Sequence, residues 1–257
     1  MIKIFGDIYS YYGDIVAASS ELSSQGFAAR NLILQDPLPW YSVIDSSHYV
    51  SGSLSFKGDA QNSVCPLDSI AILGHNIPLD ATVTLGIYNS LDDPAILEYI
   101  LPITASNYFD LDLDISSGNY WKLSIELTSA QVIYITHLLI GHSWRSTRGV
   151  DATSYEITRN SSSKRHNLRN GSTFVQPTVS YKTQKITINE LNSSDAFNLS
   201  DMFFTYGKSA PVLIQILENT NLTEVSSFYG RIVEWSPLSP SSVSGNYKVS
   251  LTIEEKK

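Results

Sequence analysis

The stretch HLLIGHSWRSTRG, residues 137–149, decides how this chain is divided. An apolar run with the composition of a strand ends there at Gly141, and the charge of the sequence changes sign. Residues 1–143 contain 4 Lys and Arg against 15 Asp and Glu, whereas residues 144–257 contain 13 against 10. Because such an asymmetry indicates surfaces with different partners, the sequence predicts two packed domains that meet at this stretch.

The composition is that of a globular protein, with 42% hydrophobic and 16% charged residues in 257 positions. The single cysteine, Cys65, excludes an intrachain disulfide and is expected to be a buried apolar side chain. The first residues lack the apolar core of a signal peptide, and no run approaches the ~20 apolar residues of a membrane-spanning helix. We therefore expect neither export nor a membrane span.

The first domain is predicted to be an antiparallel β-sandwich that covers residues 17–143. Its strand-like runs are short, alternate apolar and polar residues, and end at Gly, Pro, Asn, Asp or Ser, at the spacing typical of sandwiches. The run at residues 67–73 is almost continuously apolar, which favours a strand buried on both faces. The alternating runs lie at residues 50–56, 82–88, 110–115, 121–127 and 132–140.

Residues 1–16 are too short and too broken by glycine for a domain of their own, and we expect an N-terminal arm. Such a segment could add a strand to the sheet of a neighbouring molecule, or it could be an ordinary strand of the first domain. The sequence leaves both alternatives open.

Two sequence segments in the first half resemble a known protein family. Residues 31–42, NLILQDPLPWYS, and residues 67–88, LDSIAILGHNIPLDATVTLGIY, look like the galactose-binding-like jelly rolls found in bacteriophage tail proteins. The resemblance covers about residues 17–141. It implies a jelly-roll sandwich, and it implies carbohydrate binding at the loop end in some members, while others are purely structural.

Three groups of residues in this half are candidate sites. Trp40 and Tyr41 form an aromatic pair that could stack on a sugar, with core packing as the favoured interpretation. The carboxylates of Asp110, Asp112 and Asp114 follow one strand face, but the loop pattern of a calcium site is missing, so a solvated outer face is favoured. The histidines show no spacing typical of metal ligands. We expect no metal and no other cofactor.

Residues 144–171 form a long polar segment that holds most of the positive charge of the second half. A basic segment can bind nucleic acid, but the protein is acidic overall, with a pI of about 5.0. We therefore expect no nucleic-acid partner and predict contacts with an acidic neighbour in an assembly. The predicted contact residues are Arg145, Arg148, Arg159, Lys164, Arg165 and Arg169.

The second domain, residues 144–257, is predicted to be a small β-rich, barrel-like module with one helix near residues 194–206. Apolar residues at helical spacing follow Ser193 and Ser194, either of which could cap the helix, and Gly207 ends it. Strands are predicted at residues 174–181, 185–191, 211–217, 228–235 and 247–253.

Four sequence segments in this half resemble a second class of proteins. IGHSW at residues 140–144, TYGKSAPVLIQI at 205–216, YGRI at 229–232 and YKVSLTIEE at 247–255 are similar to tail-tip proteins of tailed bacteriophages, of the distal-tail or baseplate-hub class. The resemblance implies a virion structural protein, made in the host cytoplasm, that self-assembles into a ring and joins the tail tube to tip proteins. The implied partners are further copies and the tube, hub and fibre proteins. In that class the ring-forming domain usually comes first, whereas here the sandwich does.

No catalytic pattern stands out: the sequence has no Gly-x-Ser-x-Gly elbow, no phosphate-binding glycine loop and no His-Glu-x-x-His motif. We therefore expect a protein that is not an enzyme. A carbohydrate-binding module that recognises glycans of a host surface is the alternative interpretation.

Overall fold

The computed structural model describes residues 2–6, 15–18, 29, 32, 39–54, 67–103, 108–109, 118–141, 143–146, 156–161, 164–167, 173–176, 180–206, 211–216, 227–241 and 245–255. These residues form strands and one helix, so the chain is mainly β, as predicted. The chain divides into two compact units. We call Asp7–Ser143 the sandwich unit, and Met1–Gly6 together with Trp144–Lys257 the sheet unit.

The sandwich unit consists of two antiparallel sheets. One has the strand order β2-β4-β9-β6-β7 and the other β3-β10-β5-β8. Along the chain, strands alternate between the two sheets except at β6 and β7, a connectivity that suits a jelly roll. The strands are β2 (Ile15–Ala18), β3 (Trp40–Tyr41), β4 (Asp45–Ser53), β5 (Ser69–His75), β6 (Thr82–Tyr88), β7 (Leu97–Leu101), β8 (Tyr108–Phe109), β9 (Tyr120–Gln131) and β10 (Tyr134–Gly141).

The two sheets of the sandwich unit share one apolar core. Trp121, Leu123 and Ile125 of β9 are fully buried, which confirms the face predicted from their alternation. In β5 the three consecutive residues 70–72 are also fully buried, as predicted for a strand covered on both faces. The aspartates at 110, 112 and 114, and Cys65, lie outside the described residues.

The sheet unit is built on an eight-stranded antiparallel sheet in the order β11-β1-β16-β17-β19-β15-β12, with β18 also paired to β19. A separate hairpin joins β13 and β14. The elements are β1 (Ile2–Gly6), β11 (Trp144–Arg145), β12 (Glu156–Ser161), β13 (Lys164–Asn167), β14 (Thr173–Gln176), β15 (Ser180–Leu191), α1 (Ser193–Tyr206), β16 (Pro211–Ile216), β17 (Ser227–Trp235), β18 (Ser239–Pro240) and β19 (Tyr247–Glu255).

One hydrogen bond in the sheet unit links two strands that are distant in the strand order, through the start of α1. β11 and β15 are five steps apart in the strand order, a separation of about 24 Å in a flat sheet. Yet the indole Nε1 of Trp144 in β11 donates a 3.1 Å hydrogen bond to the carbonyl oxygen of Asp195, which follows closely after the end of β15 at Leu191. The sheet unit buries one apolar core, to which α1 contributes Ala196, Leu199 and Phe203.

The predicted N-terminal arm is not a single element in the structure. Residues 2–6 form β1, which lies between β11 and β16 of the sheet unit, and Ile4 is fully buried in the core of that unit. Residues 15–18 form β2, which pairs with β4 of the sandwich unit. The sandwich unit is thus inserted in the chain between β1 and β11, two neighbouring strands of the sheet unit.

Two further predictions differ from the structure. Residues 180–191 form one continuous strand, where the sequence analysis placed a break between Tyr181 and Lys185. Pairing with both β12 and β19 holds this polar stretch extended. The sequence analysis placed no strand in the polar segment at residues 144–171, which contributes β11, β12 and β13. A strand is difficult to recognise there from alternating apolar and polar residues, because β12 is exposed on both faces from Glu156 to Arg159.

Candidate interaction surface

Helix α1 begins with a capping arrangement between Asn192 and Asp195. The side-chain carbonyl of Asn192 accepts a 2.7 Å hydrogen bond from the backbone N–H of Asp195, and its amide donates to the Asp195 carboxylate at 3.1 Å. The N-cap is therefore Asn192, one residue before Ser193 and two before Ser194, the two predicted caps. Of the apolar residues whose helical spacing predicted α1, Ala196, Leu199 and Phe203 are buried and Met202 is partly buried, which confirms the predicted helix.

The opposite face of α1 carries an exposed aromatic stripe, which we define as Phe197, Asp201 and Phe204. Residues four and three apart in a helix lie on one face, so the acidic side chain lies between the two rings. Phe197 is 68% exposed and Phe204 is 84% exposed. Exposed large apolar side chains that cluster are typical of interaction sites.

An apolar groove of about 390 Å³ runs beside this stripe, between α1 and the region from β17 to β19. Its floor includes Phe203 and Trp235, whose rings stack with centroids 5.5 Å apart and an interplanar angle of 24°. Phe204 belongs both to the stripe and to the lining of the groove. The other apolar lining residues are Leu199, Pro237, Leu238 and Val249.

A positively charged surface, opposite in sign to Asp201 of the aromatic stripe, lies on β12 and β15 of the same unit. Arg159 and Ile157 are two residues apart in β12 and so lie on one side of the sheet, and both are exposed. Lys182 of β15 is the direct cross-strand partner of Arg159 and is also exposed. Lys182 lies 3.8 Å from the carboxylate of Glu255, which offsets part of its charge. We call Ile157, Arg159 and Lys182 the basic face.

The structure separates the basic residues that the sequence analysis grouped together. Arg145 lies in β11, Arg159 in β12, and Lys164 and Arg165 in β13. Arg148 and Arg169 lie outside the described residues. In the strand order, β11 and β12 stand at opposite ends. Arg159 is the member whose exposed side chain and neighbours the structure describes.

The two predicted glycan contacts, Trp40 and Tyr41, differ in how much of each side chain is exposed. Trp40 has no exposed surface and belongs to the sandwich core, so its ring has no face available to a sugar. Tyr41 is half-buried and lies beside Tyr134, with ring centroids 5.5 Å apart. Both tyrosines lie near the connection between β9 and β10, where Asn76 accepts from the Tyr134 N–H at 2.7 Å and donates to the Val132 carbonyl at 2.9 Å.

His75 precedes Asn76 and holds the turn beside it, as its position in the sequence suggests. Its Nδ1 accepts a 3.1 Å hydrogen bond from the backbone N–H of Ile77. Burial lowers the pKa of the His75 imidazole.

Among the described residues, no group of three or more His, Cys, Asp or Glu side chains is arranged to hold a metal ion. No helix in the described part of the chain is long and apolar enough to cross a membrane.

The aromatic stripe was missed by the sequence analysis, although a signal for it was present. Phe197 and Phe204 are seven residues apart, which is close to two helical turns, and they lie roughly opposite the core positions of α1. Projecting the predicted helix along its axis would have found them.

Comparison of the chain with protein-family models, curated proteins and solved structures found no match.

Proposed function

We propose that this protein is a virion structural protein of a phage tail tip, of the distal-tail or baseplate-hub class. It self-assembles into a ring and joins the tail tube to tip proteins. Its partners are further copies of the chain and the tube, hub or fibre proteins, and its place is the virion tail after synthesis in the host cytoplasm. The phrases at residues 140–144, 205–216, 229–232 and 247–255 support this class by resemblance.

The observation that carries an assembly role is the exposed aromatic stripe beside an apolar groove. Two phenylalanines that are 68% and 84% exposed are costly to leave in water, since burying a side chain of that size contributes about 1.5–3 kcal/mol. Aromatic side chains that fill pockets are also the residues that dominate binding energy at protein interfaces. The stripe and the groove together have the composition of an interface core with a polar surround.

The proposal is tested by measuring the mass of the purified full-length chain by light scattering and by imaging the particles. We expect a closed oligomer with rotational symmetry, and we expect it to be recovered with tube or hub proteins when these are produced together. A chain that stays monomeric up to its solubility limit, and that is not incorporated into particles, would contradict the proposal.

A carbohydrate-binding role is the second candidate, and the pairing of Tyr41 with Tyr134 favours it. Two neighbouring aromatic rings that are half-buried at the loop end of a sandwich can stack against the apolar face of a sugar ring. A glycan array with the full chain tests this role. We expect any glycan signal to disappear in Tyr41→Ala and in Tyr134→Ala, and an array without signal would remove this candidate.

A further inference from the structure

We infer that the aromatic stripe and groove of one molecule bind the basic face on β12 and β15 of a second copy. This inference rests on the proposed self-assembly and names the two surfaces that form the contact. The occupant of the groove is a second copy of this chain.

The basic face carries an exposed apolar side chain, and the other surface has an apolar groove that can receive it. Ile157 is 42% exposed on β12, and its branched side chain has a size suited to an apolar groove of about 390 Å³. β12 ends the strand order among the described residues and pairs there with β15. A side chain at the margin of a sheet can enter a groove on another molecule without disturbing its own sheet.

The two surfaces are also complementary in charge. The stripe of α1 carries the exposed carboxylate of Asp201, and the helix has no Lys or Arg between Ser193 and Tyr206, so the charge on this face is negative. The basic face contributes Arg159, with Lys182 beside it. A guanidinium group can pair with the carboxylate of Asp201 and lie over the ring of Phe204, because Arg combines ion pairing with cation–π contact.

The exposure of both surfaces is the reason for assigning the occupant to a second copy. Phe197, Phe204, Ile157 and Arg159 are exposed in the same chain, so neither surface covers the other within it. A second copy can cover the exposed Phe197 and Phe204 with its Ile157 and Arg159. Because the two surfaces differ, the contact is heterologous and repeats from one molecule to the next, which yields a ring if the rotation closes.

The inference is tested with full-length variants whose assembly is followed by analytical ultracentrifugation. We expect the double variant Phe197→Ser/Phe204→Ser to lose the oligomer at concentrations at which the unchanged chain is fully assembled. Arg159→Glu and Asp201→Lys should each weaken assembly by about tenfold or more, since each places like charges against one another. The combined variant Arg159→Glu/Asp201→Lys should recover most of that loss, because the charges are then exchanged.

Lys185→Glu is the matched control. Lys185 is exposed on the same strand as Lys182 but pairs with Glu156 and lies on the opposite side of the sheet. The same reversal of charge there should leave assembly unchanged. Circular dichroism and the midpoint of thermal unfolding verify that each variant is folded, and Phe204→Ser alone serves if the double variant is not.

The outcomes separate this inference from the proposed function. If the unchanged chain assembles and the phenylalanine and arginine variants assemble equally well, the inference is overturned while self-assembly stands. Loss of assembly in the single charge variants without recovery in the combined variant also overturns the pairing of these two surfaces. A chain that is monomeric under all conditions overturns both.

Discussion

The carboxylate of Asp68 is hydrogen-bonded to Ser143, 75 residues further along the chain, through both the backbone N–H at 2.9 Å and the hydroxyl at 3.1 Å. The hydroxyl of Ser69 donates to the same carboxylate oxygen at 2.6 Å. Ser143 is the last residue of the sandwich unit, and Ser69 opens β5, the strand that pairs with β10. Asp68 therefore fixes the point at which the chain leaves the sandwich unit.

We predict that Asp68→Ala weakens this end of the sandwich unit. Removing the carboxylate leaves the buried donors of Ser69 and Ser143 without this acceptor, which typically costs about 1–3 kcal/mol. Hydrogen exchange should become faster in β5 and in the last residues of β10. Asp68→Asn is the control, because its carbonyl oxygen retains an acceptor and should preserve most of the protection. Unchanged exchange in Asp68→Ala would show that this cluster contributes nothing to stability.

The sequence predicted the elements that depend on local alternation. Trp121, Leu123 and Ile125 of β9 alternate with polar residues, so the buried face follows from a period of two. In β19 the same alternation is found, with Val249, Leu251 and Ile253 buried. Helix α1 was predicted because its core positions recur at helical spacing.

The sequence could not predict the features that depend on distant parts of the chain. β1 pairs with β16, so that Ile4 lies opposite Ile214, and nothing local to residues 1–6 indicates that partner. The basic face likewise exists only because β12 and β15 place Arg159 beside Lys182. The N-cap was misplaced by one or two residues because Asn192, Ser193 and Ser194 are all able to cap a helix.

We predict that Asn192→Ala destabilises α1 by about 0.5–2 kcal/mol, since the N–H of Asp195 then loses its acceptor. Ser193→Ala is the matched control, because Ser193 is the first helical residue and is exposed, and it should cost much less. Hydrogen exchange of the first turn of α1 measures the effect. Equal losses in the two variants would contradict the assignment of Asn192 as the cap.

We predict that His75 makes the loop end of the sandwich unit less stable as the pH falls. Burial lowers the imidazole pKa below its ordinary value of 6.5, and the bond from the Ile77 N–H to Nδ1 further requires that nitrogen to be unprotonated. The unfolded segment thus takes up the proton more readily than the folded one. Stability contributed by neutral His75 is present above 6.5 and is lost as the pH falls through the lowered folded pKa.

The measurement is hydrogen exchange of β5 and β10 at pH values about one unit above and two units below the usual histidine pKa, after correction for the intrinsic exchange rate. His75→Asn is the control, because its side-chain oxygen can accept the Ile77 N–H and does not titrate in this range. The change in protection with pH should be smaller in His75→Asn. The same change in both proteins would assign the pH response to other groups.

We predict that Gly230→Ala disrupts the centre of the sheet unit. Gly230 of β17 pairs with Val212 of β16 on one side and with Glu255 of β19 on the other. A Cβ atom at this position would collide with the carbonyl oxygen of Glu254 and would lie 2.9 Å from the Ile253 side chain. The obstacle is backbone held by a ladder of hydrogen bonds, so the strands have to separate, and overpacking of this kind costs about 1–3 kcal/mol or more.

Gly245→Ala separates this packing effect from the general effect of replacing a glycine. Gly245 lies in the turn before β19 with φ at +82°, and no atom lies within 4 Å of an added Cβ. The cost there is about 1 kcal/mol of backbone strain confined to the turn. Hydrogen exchange should therefore accelerate across β16, β17 and β19 in Gly230→Ala and only near the turn in Gly245→Ala. Native protection of β17 in Gly230→Ala would show that β17 and β19 do not approach each other as closely as this register requires.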